Sequence, residues 1–299
     1  MSSKGIIHFQ FNKKCNKSIV LGGFKWTAEE NLDCDSVSSS EKCTLLTCEP
    51  EIKGNVLWNC LAKGTFQLAA VYGLKETTFH CWNSQFNEKQ RKVHVHRSVL
   101  SYNDALSAFG CLFHGQIPIE IVESFLADLS KEDNPLIEDT SDAAKFDFGY
   151  DDGKEIWLSK KILGFHSPFF HNLFTKDFKE KTEDFYKLEY VSIYKFLEFL
   201  AIVHGIYNPI DKYSVEDLLK LGDQFMCKIV MQRCEEFLLT AAVEEISPLR
   251  KFCLADHYKL YKLLFETVNK MTTAELKSFP LPHMSQFTKD LVSEKLSSL

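Results

Sequence analysis

The chain contains no apolar stretch approaching the ~18 residues that a membrane-crossing helix requires. Its first ten residues, Met1 to Gln10, hold one lysine and then alternate, without the core of about 7 to 15 apolar residues that marks a secretory signal. Both absences point to the cytosol or nucleus and away from a membrane partner. Positive charge is also short: 35 Lys and Arg stand against 41 Asp and Glu, a net charge of -6. No broad basic footprint awaits a phosphate backbone, so nucleic acid is excluded as the expected partner. Catalytic signatures are missing as well. There is no Gly-x-Ser-x-Gly elbow, no phosphate-cradling Gly-x-x-x-x-Gly-Lys-Ser/Thr loop, no His-Glu-x-x-His pair and no EF-hand loop. No internal repeat is visible. The expected protein is therefore not an enzyme and uses no cofactor.

What is present is ample material for two globular domains. Of 299 residues, 45% are hydrophobic and 25% charged, and 25 are phenylalanine, an apolar core piece with no polar group to satisfy. Ten cysteines, in a chain without an export signal, are expected to be reduced thiols serving as small buried hydrophobes. Cys43-x4-Cys48 and His94-x-His96 do not make a zinc site. Neither has a Cys-x2-Cys partner, and on alternating strands the two cysteines face opposite ways. A thiol enzyme is likewise unsupported, since chance pairs are expected among ten Cys and ten His.

Charge and periodicity divide the chain. Residues 1–129 are neutral, 145–299 carry -2, and the short stretch 130–144 carries -4 with few apolar residues and a proline, which reads as an acidic linker. Before it the period is two, in Ile7/Phe9/Phe11, Phe24/Trp26, Val56/Trp58/Cys60, Phe66/Leu68/Ala70/Tyr72, Phe79/Cys81, Val93/Val95, Phe109/Cys111/Phe113 and Ile117/Ile119/Ile121. Eight such runs predict an antiparallel β-sandwich. After it, Phe146/Phe148/Tyr150, a turn at Asp151-Asp152-Gly153 and Ile156/Leu158 predict a hairpin. Helical periodicity follows. Ile193 to Val203 is apolar on both sides, as a central helix must be. Ser214-Val-Glu-Asp217 predicts a capping box, and Ser247-Pro248 a capped start with proline in the first turn. Further helices are expected around Val230 to Leu238, Tyr258 to Val268 and Phe287 to Leu296.

The segment Leu158-Ser-Lys-Lys-Ile-Leu-Gly-Phe-His-Ser-Pro-Phe-Phe-His-Asn-Leu-Phe174 resembles the hallmark of the BTB/POZ family, a helical hairpin around His166, Ser167, Pro168, Phe169, Phe170 and Phe174. The resemblance continues through Asp177 to Glu180, a strand at Phe185 to Val191, the central helix, Val215 to Phe225, and Cys234 to Leu238. It implies an α/β BTB/POZ domain at 145–240 that forms a homodimer, with a short helical extension at 241–299. The family often pairs an Asp on the first strand with a His opening the first helix. Phe146 and Ser159 stand there instead, so that both partners are expected to be lost together. In cullin-recruiting members a hydrophobic-x-Glu triplet follows the Phe corresponding to Phe174. Phe178-Lys179-Glu180 falls at that offset, which implies a cullin surface, with His204 replacing a frequent Tyr on the central helix. Gly22-Gly-Phe-Lys-Trp26 and Trp58-Asn-Cys-Leu-Ala62 leading into Phe66-Gln-Leu68 look like a MATH (TRAF-like) domain at 1–129, with an immunoglobulin-like sandwich as the alternative. The overall expectation is an α+β protein with an N-terminal antiparallel β-sandwich followed by BTB/POZ. It would act as the substrate-recruiting adaptor of a cullin-RING ubiquitin ligase, its sandwich binding an unknown protein client. A BTB scaffold or transcriptional co-repressor without a cullin is the competing class.

Overall fold

The computed structural model describes residues 3–10, 17–31, 42–70, 78–98, 113–149, 154–175, 185–277 and 284–297. The expected run at Phe109/Cys111, the turn at Asp151 to Gly153 and the triplet Phe178 to Glu180 lie outside them. Two compact units part in sequence between Pro135 and Leu136.

The first unit holds eight strands, β1 (Lys4–Gln10), β2 (Lys17–Leu21), β3 (Phe24–Asn31), β4 (Lys42–Pro50), β5 (Val56–Ala70), β6 (Thr78–Asn87), β7 (Lys92–Ser98) and β8 (Phe113–Asp128), though not one per expected run. The runs at Val56 and Phe66 share β5, Phe113 and the run at Ile117 share β8, β2 and β4 carried no run, and Phe79 and Cys81 lie on the exposed face of β6. They form two antiparallel four-stranded sheets, ordered β1-β8-β5-β6 and β2-β3-β4-β7. Every second residue enters one core, which holds Ile7, Phe24, Trp26, Trp58, Phe66, Phe86 and Ile117. Trp26 meets Phe86 edge-on at 5.2 Å between ring centroids, a favoured aromatic geometry. Cys48 on β4 and Cys60 on β5 are buried, and burial, with Cys60 beside it, drives the Cys48 thiol far above its usual range, so it stays protonated. Cys81 is exposed. Gly22 and Gly23 occupy the β2–β3 turn with φ of 63° and 81°, a region that only glycine enters without strain.

In the second unit β9 (Ala143–Phe148) and β10 (Lys154–Ser159) pair antiparallel, and β11 (Phe185–Lys187) joins β9 in parallel. β11 is shorter than the expected Phe185 to Val191 because the chain turns after it, with Tyr190 at φ 64°. Helices α1 (Lys160–His166), α2 (Pro168–Thr175), α3 (Ile193–Val203), α4 (Val215–Gln224) and α5 (Lys228–Thr240) complete this part. The all-round apolar α3 is central: Ile193, Phe196, Phe199, Leu200, Ala201 and Val203 are buried, and it packs on α1, α4 and α5. The C-terminal helices are α6 (Pro248–His257), α7 (Tyr261–Lys270), the five-residue α8 (Thr273–Lys277), which periodicity did not reveal, and α9 (Gln286–Ser297). Ser247 caps α6 as expected, its hydroxyl accepting from the Arg250 amide at 3.3 Å. Lys295 of α9 donates to the carbonyls of Val268, Asn269 and Met271, placing a positive charge on the negative end of α7.

The start of α4 departs from the expected capping box. Ser214 makes no side-chain cap bond and sits in the right-handed helical region. The Asp211 carboxylate instead accepts from the amides of Tyr213 and Ser214, both at 2.9 Å, and so orders the turn that enters the helix.

Candidate functional site

The hairpin α1–α2 is built from two serines that start its helices. Ser159 ends β10 in extended geometry, and its hydroxyl accepts from the Ile162 amide at 3.1 Å, the N-cap that stops a strand and opens α1. Ser167 does the same for α2, accepting from the Phe170 amide at 3.1 Å, while Pro168 supplies a pre-set φ at the first helical position. The Ser167 hydroxyl also donates to the carbonyl of Phe225, just past α4. A residue with 1% exposure thus ties the hairpin to a helix 58 positions away.

The paired Asp is not lost, contrary to the expectation drawn from Phe146 and Ser159. Asp142, one residue before β9, is 5% exposed and takes the acidic role. One carboxylate oxygen accepts from the Ser159 hydroxyl and the other from the Lys161 amide at 2.8 Å. Phe146 lies further along the strand, fully buried, with its ring stacked on Tyr186 at 5.4 Å. A buried carboxylate–hydroxyl pair therefore holds the junction of β9, β10 and α1. Asp142 belongs to the second unit although it lies in the acidic stretch 130–144.

Around this junction the aromatic side chains converge. Phe170 is fully buried and contacts Phe146, Phe169, Phe174, Phe196 and Phe225, with centroid distances of 4.9 to 6.3 Å. Phe169 and Phe174 are half-buried at the rim of the cluster, and Thr175, which ends α2, is exposed. Phe174 thus anchors the end of α2 against Phe146, Phe170 and Tyr186. His166 ends α1, half-buried, and its ring meets the exposed Phe165 at 5.0 Å. His204 follows α3, with its backbone amide bonded to the Leu200 carbonyl at 2.9 Å. Its Nε2 atom is buried with no hydrogen-bond partner. Burial, with His166 adding to it, pushes the His204 imidazole from the usual 6.5 down to about 4. His204 is half-buried and neutral at pH 7.

Among the described residues no group of three or more His, Cys, Asp or Glu is placed to hold a metal, and no helix is long and apolar enough to cross a membrane.

Residues 144–242 match the BTB/POZ domain family, and this stretch is a BTB/POZ domain. Curated relatives in Caenorhabditis elegans carry matching names. BTB and MATH domain-containing protein 38 is 31% identical over 148 residues, 48% of this chain and 38% of that protein's length. BTB and MATH domain-containing protein 36 is 23% identical over 263 residues, 86% of this chain and 79% of its own. BTB and MATH domain-containing protein 39 is 28% identical over 152 residues, half of this chain and 44% of its own length. The chain thus spans less than half the length of two of these three relatives. The likeness is to proteins built from interaction domains.

Proposed function

We propose that this protein is a non-enzymatic adaptor of a cullin-RING ubiquitin ligase, acting in the cytosol or nucleus. Its BTB/POZ domain pairs with a second copy and docks a cullin, and its N-terminal sandwich, a MATH-type domain, holds the client. Its mechanism is proximity: the client is carried to a ubiquitin-conjugating enzyme held by the same scaffold. The observation that carries this reading is the hairpin ending at Phe174 inside a BTB/POZ domain, with Phe178-Lys179-Glu180 at the offset of a cullin-docking triplet. The two-sheet sandwich and the relatives' names support a client-binding MATH domain.

The test is binding of the purified full-length protein to purified cullin, with light scattering in parallel. The wild type should be a dimer and bind. Phe178→Ala, which removes a central aromatic anchor, should cost at least about 2 kcal/mol, roughly thirtyfold in affinity, and Glu180→Ala should also weaken binding. Lys179→Ala should change little. Dimerisation and melting temperature should hold throughout. If Phe178→Ala lowers the melting temperature while cullin binding persists, the docking assignment is wrong. If the wild type dimerises and binds no cullin, the scaffold class takes its place.

A further inference from the structure

The outer face of the β1-β8-β5-β6 sheet carries two rows of side chains set by strand register. In the first, Lys4 pairs with Glu120, Glu120 with Lys63, and Lys63 with Asn83. In the second, two residues along, Ile6 pairs with Pro118 and Thr65 with Cys81. The same residues line a groove of about 840 Å³. Gly64 lies between the two rows with its bare side toward the core, where an added Cβ would lie 2.0 Å from the Pro118 carbonyl and 2.8 Å from the Trp82 ring, so that β5 and β8 approach closely beneath the groove.

The first row is unbalanced. Two ammonium groups, Lys4 at 3.5 Å and Lys63 at 4.0 Å, share one carboxylate oxygen of Glu120, which leaves one positive charge uncompensated. Both lysines are more than half exposed. Such exposed pairs cost little to rearrange, so either lysine can turn to an incoming anion. The second row offers the apolar surface of Ile6, itself 45% exposed, and of Pro118. Rows two residues apart on a strand lie about 7 Å apart, the distance between side chains i and i+2 of another extended chain.

We propose that this face seats an extended acidic segment of a client. One carboxylate takes the ammonium of whichever of Lys4 and Lys63 turns from Glu120, and an apolar side chain two residues away lies over Ile6 and Pro118. This rests on the reading of the sandwich as the client-binding domain and names the chemistry of the client. A basic segment would meet the two lysines, and a wholly apolar one would leave them without a counter-charge.

The test uses the full-length protein and fluorescein-labelled decapeptides with Glu-x-Leu, Leu-x-Glu, Lys-x-Leu or Glu-x-Ser at the centre of Gly/Ser flanks, read by fluorescence polarisation. The first two cover both strand directions. At least one should bind about tenfold tighter than Lys-x-Leu and Glu-x-Ser, and raising the salt should weaken it. Lys4→Glu with Lys63→Glu should remove that preference and shift it toward Lys-x-Leu, and Lys4→Gln with Lys63→Gln should lower affinity without reversing it. Lys25→Glu, exposed on the other sheet, should leave binding unchanged. Equal binding of all four peptides, binding of none, or an unchanged double variant overturns the proposal. Cullin binding is measured on the same samples. If it persists while peptide selectivity is absent, the groove fails and the adaptor reading stands; selective peptide binding without cullin binding gives the reverse.

Discussion

Replacing Ser167 with alanine removes one oxygen atom and very little volume, yet it should be among the costlier small changes in the second unit. The hydroxyl caps α2 through the Phe170 amide and donates to the Phe225 carbonyl. Loss of an N-cap costs about 1 kcal/mol, and depriving a buried carbonyl of a donor costs about 1 to 3 more. The site has 1% exposure, which leaves no room for water to take over. The expected total is about 3 kcal/mol, or a fall of roughly 6 to 12 °C in the melting temperature of a unit this size. Ser247→Ala is the matched comparison: it removes a cap of the same kind, through the Arg250 amide at 3.3 Å, on an exposed residue. It should cost about 1 kcal/mol or less. Urea unfolding followed by circular dichroism measures both. If the two variants lose the same stability, the bridge from the hairpin to Phe225 contributes nothing and the reasoning fails.

Three further outcomes follow from the same geometry. Asp142→Ala should lower stability by about 2 kcal/mol by stranding the Lys161 amide and the Ser159 hydroxyl, and an unchanged urea midpoint would return residues 130–144 to the status of a linker. Because the His204 imidazole titrates near 4 when folded and near the usual 6.5 when unfolded, its contribution is complete above pH 6.5 and is lost as the pH falls toward 4. That amounts to about 3 kcal/mol at the lower end; His204→Phe should flatten this part of a stability–pH profile, and a wild-type profile already flat there would refute the assignment. Gly64→Ala should destabilise the sandwich by about 3 kcal/mol, since its Cβ meets the Pro118 carbonyl at 2.0 Å and the Trp82 ring at 2.8 Å, whereas Gly149→Ala meets nothing within 4 Å and should leave the melting curve in place.

The parts legible in the sequence are those whose cause is local. Alternation over five or more residues makes one strand face apolar, and the sandwich follows because two such faces must cover each other. The Ser-Pro step at Ser167-Pro168 is legible for the same reason: the cap reaches only to residue 170. What stayed hidden depends on partners far along the chain or on competition for one amide. Asp142 sits among Glu138 and Asp139 and reads as solvated linker; its burial is permitted by Ser159 and by the Lys161 amide, 17 and 19 residues away. Seeking the family's Asp within the alternating strand pointed to Phe146, whereas the acid precedes the strand. At Ser214 the local Ser-x-x-Asp pattern is real, but Asp211 reaches the Tyr213 and Ser214 amides first and holds Ser214 in helical geometry, where a serine cannot cap.

The groove on the outer sheet face was hidden for a related reason. Lys4, Lys63 and Glu120 are spread over more than a hundred residues and read separately as solvated charges. Only the register β1-β8-β5 sets them side by side, and that register follows from which faces are buried. A one-residue slip of β1 would carry Ile7 to solvent and Lys4 toward the core, so the burial of Ile7 and the position of Lys4 are one fact. The binding chemistry proposed for this face is therefore specified by core residues that no ligand touches. A substitution such as Ile7→Lys should abolish peptide selectivity by undoing the β1–β8 pairing. Retained selectivity with a melted sandwich transition would show that the lysines act without the sheet that aligns them.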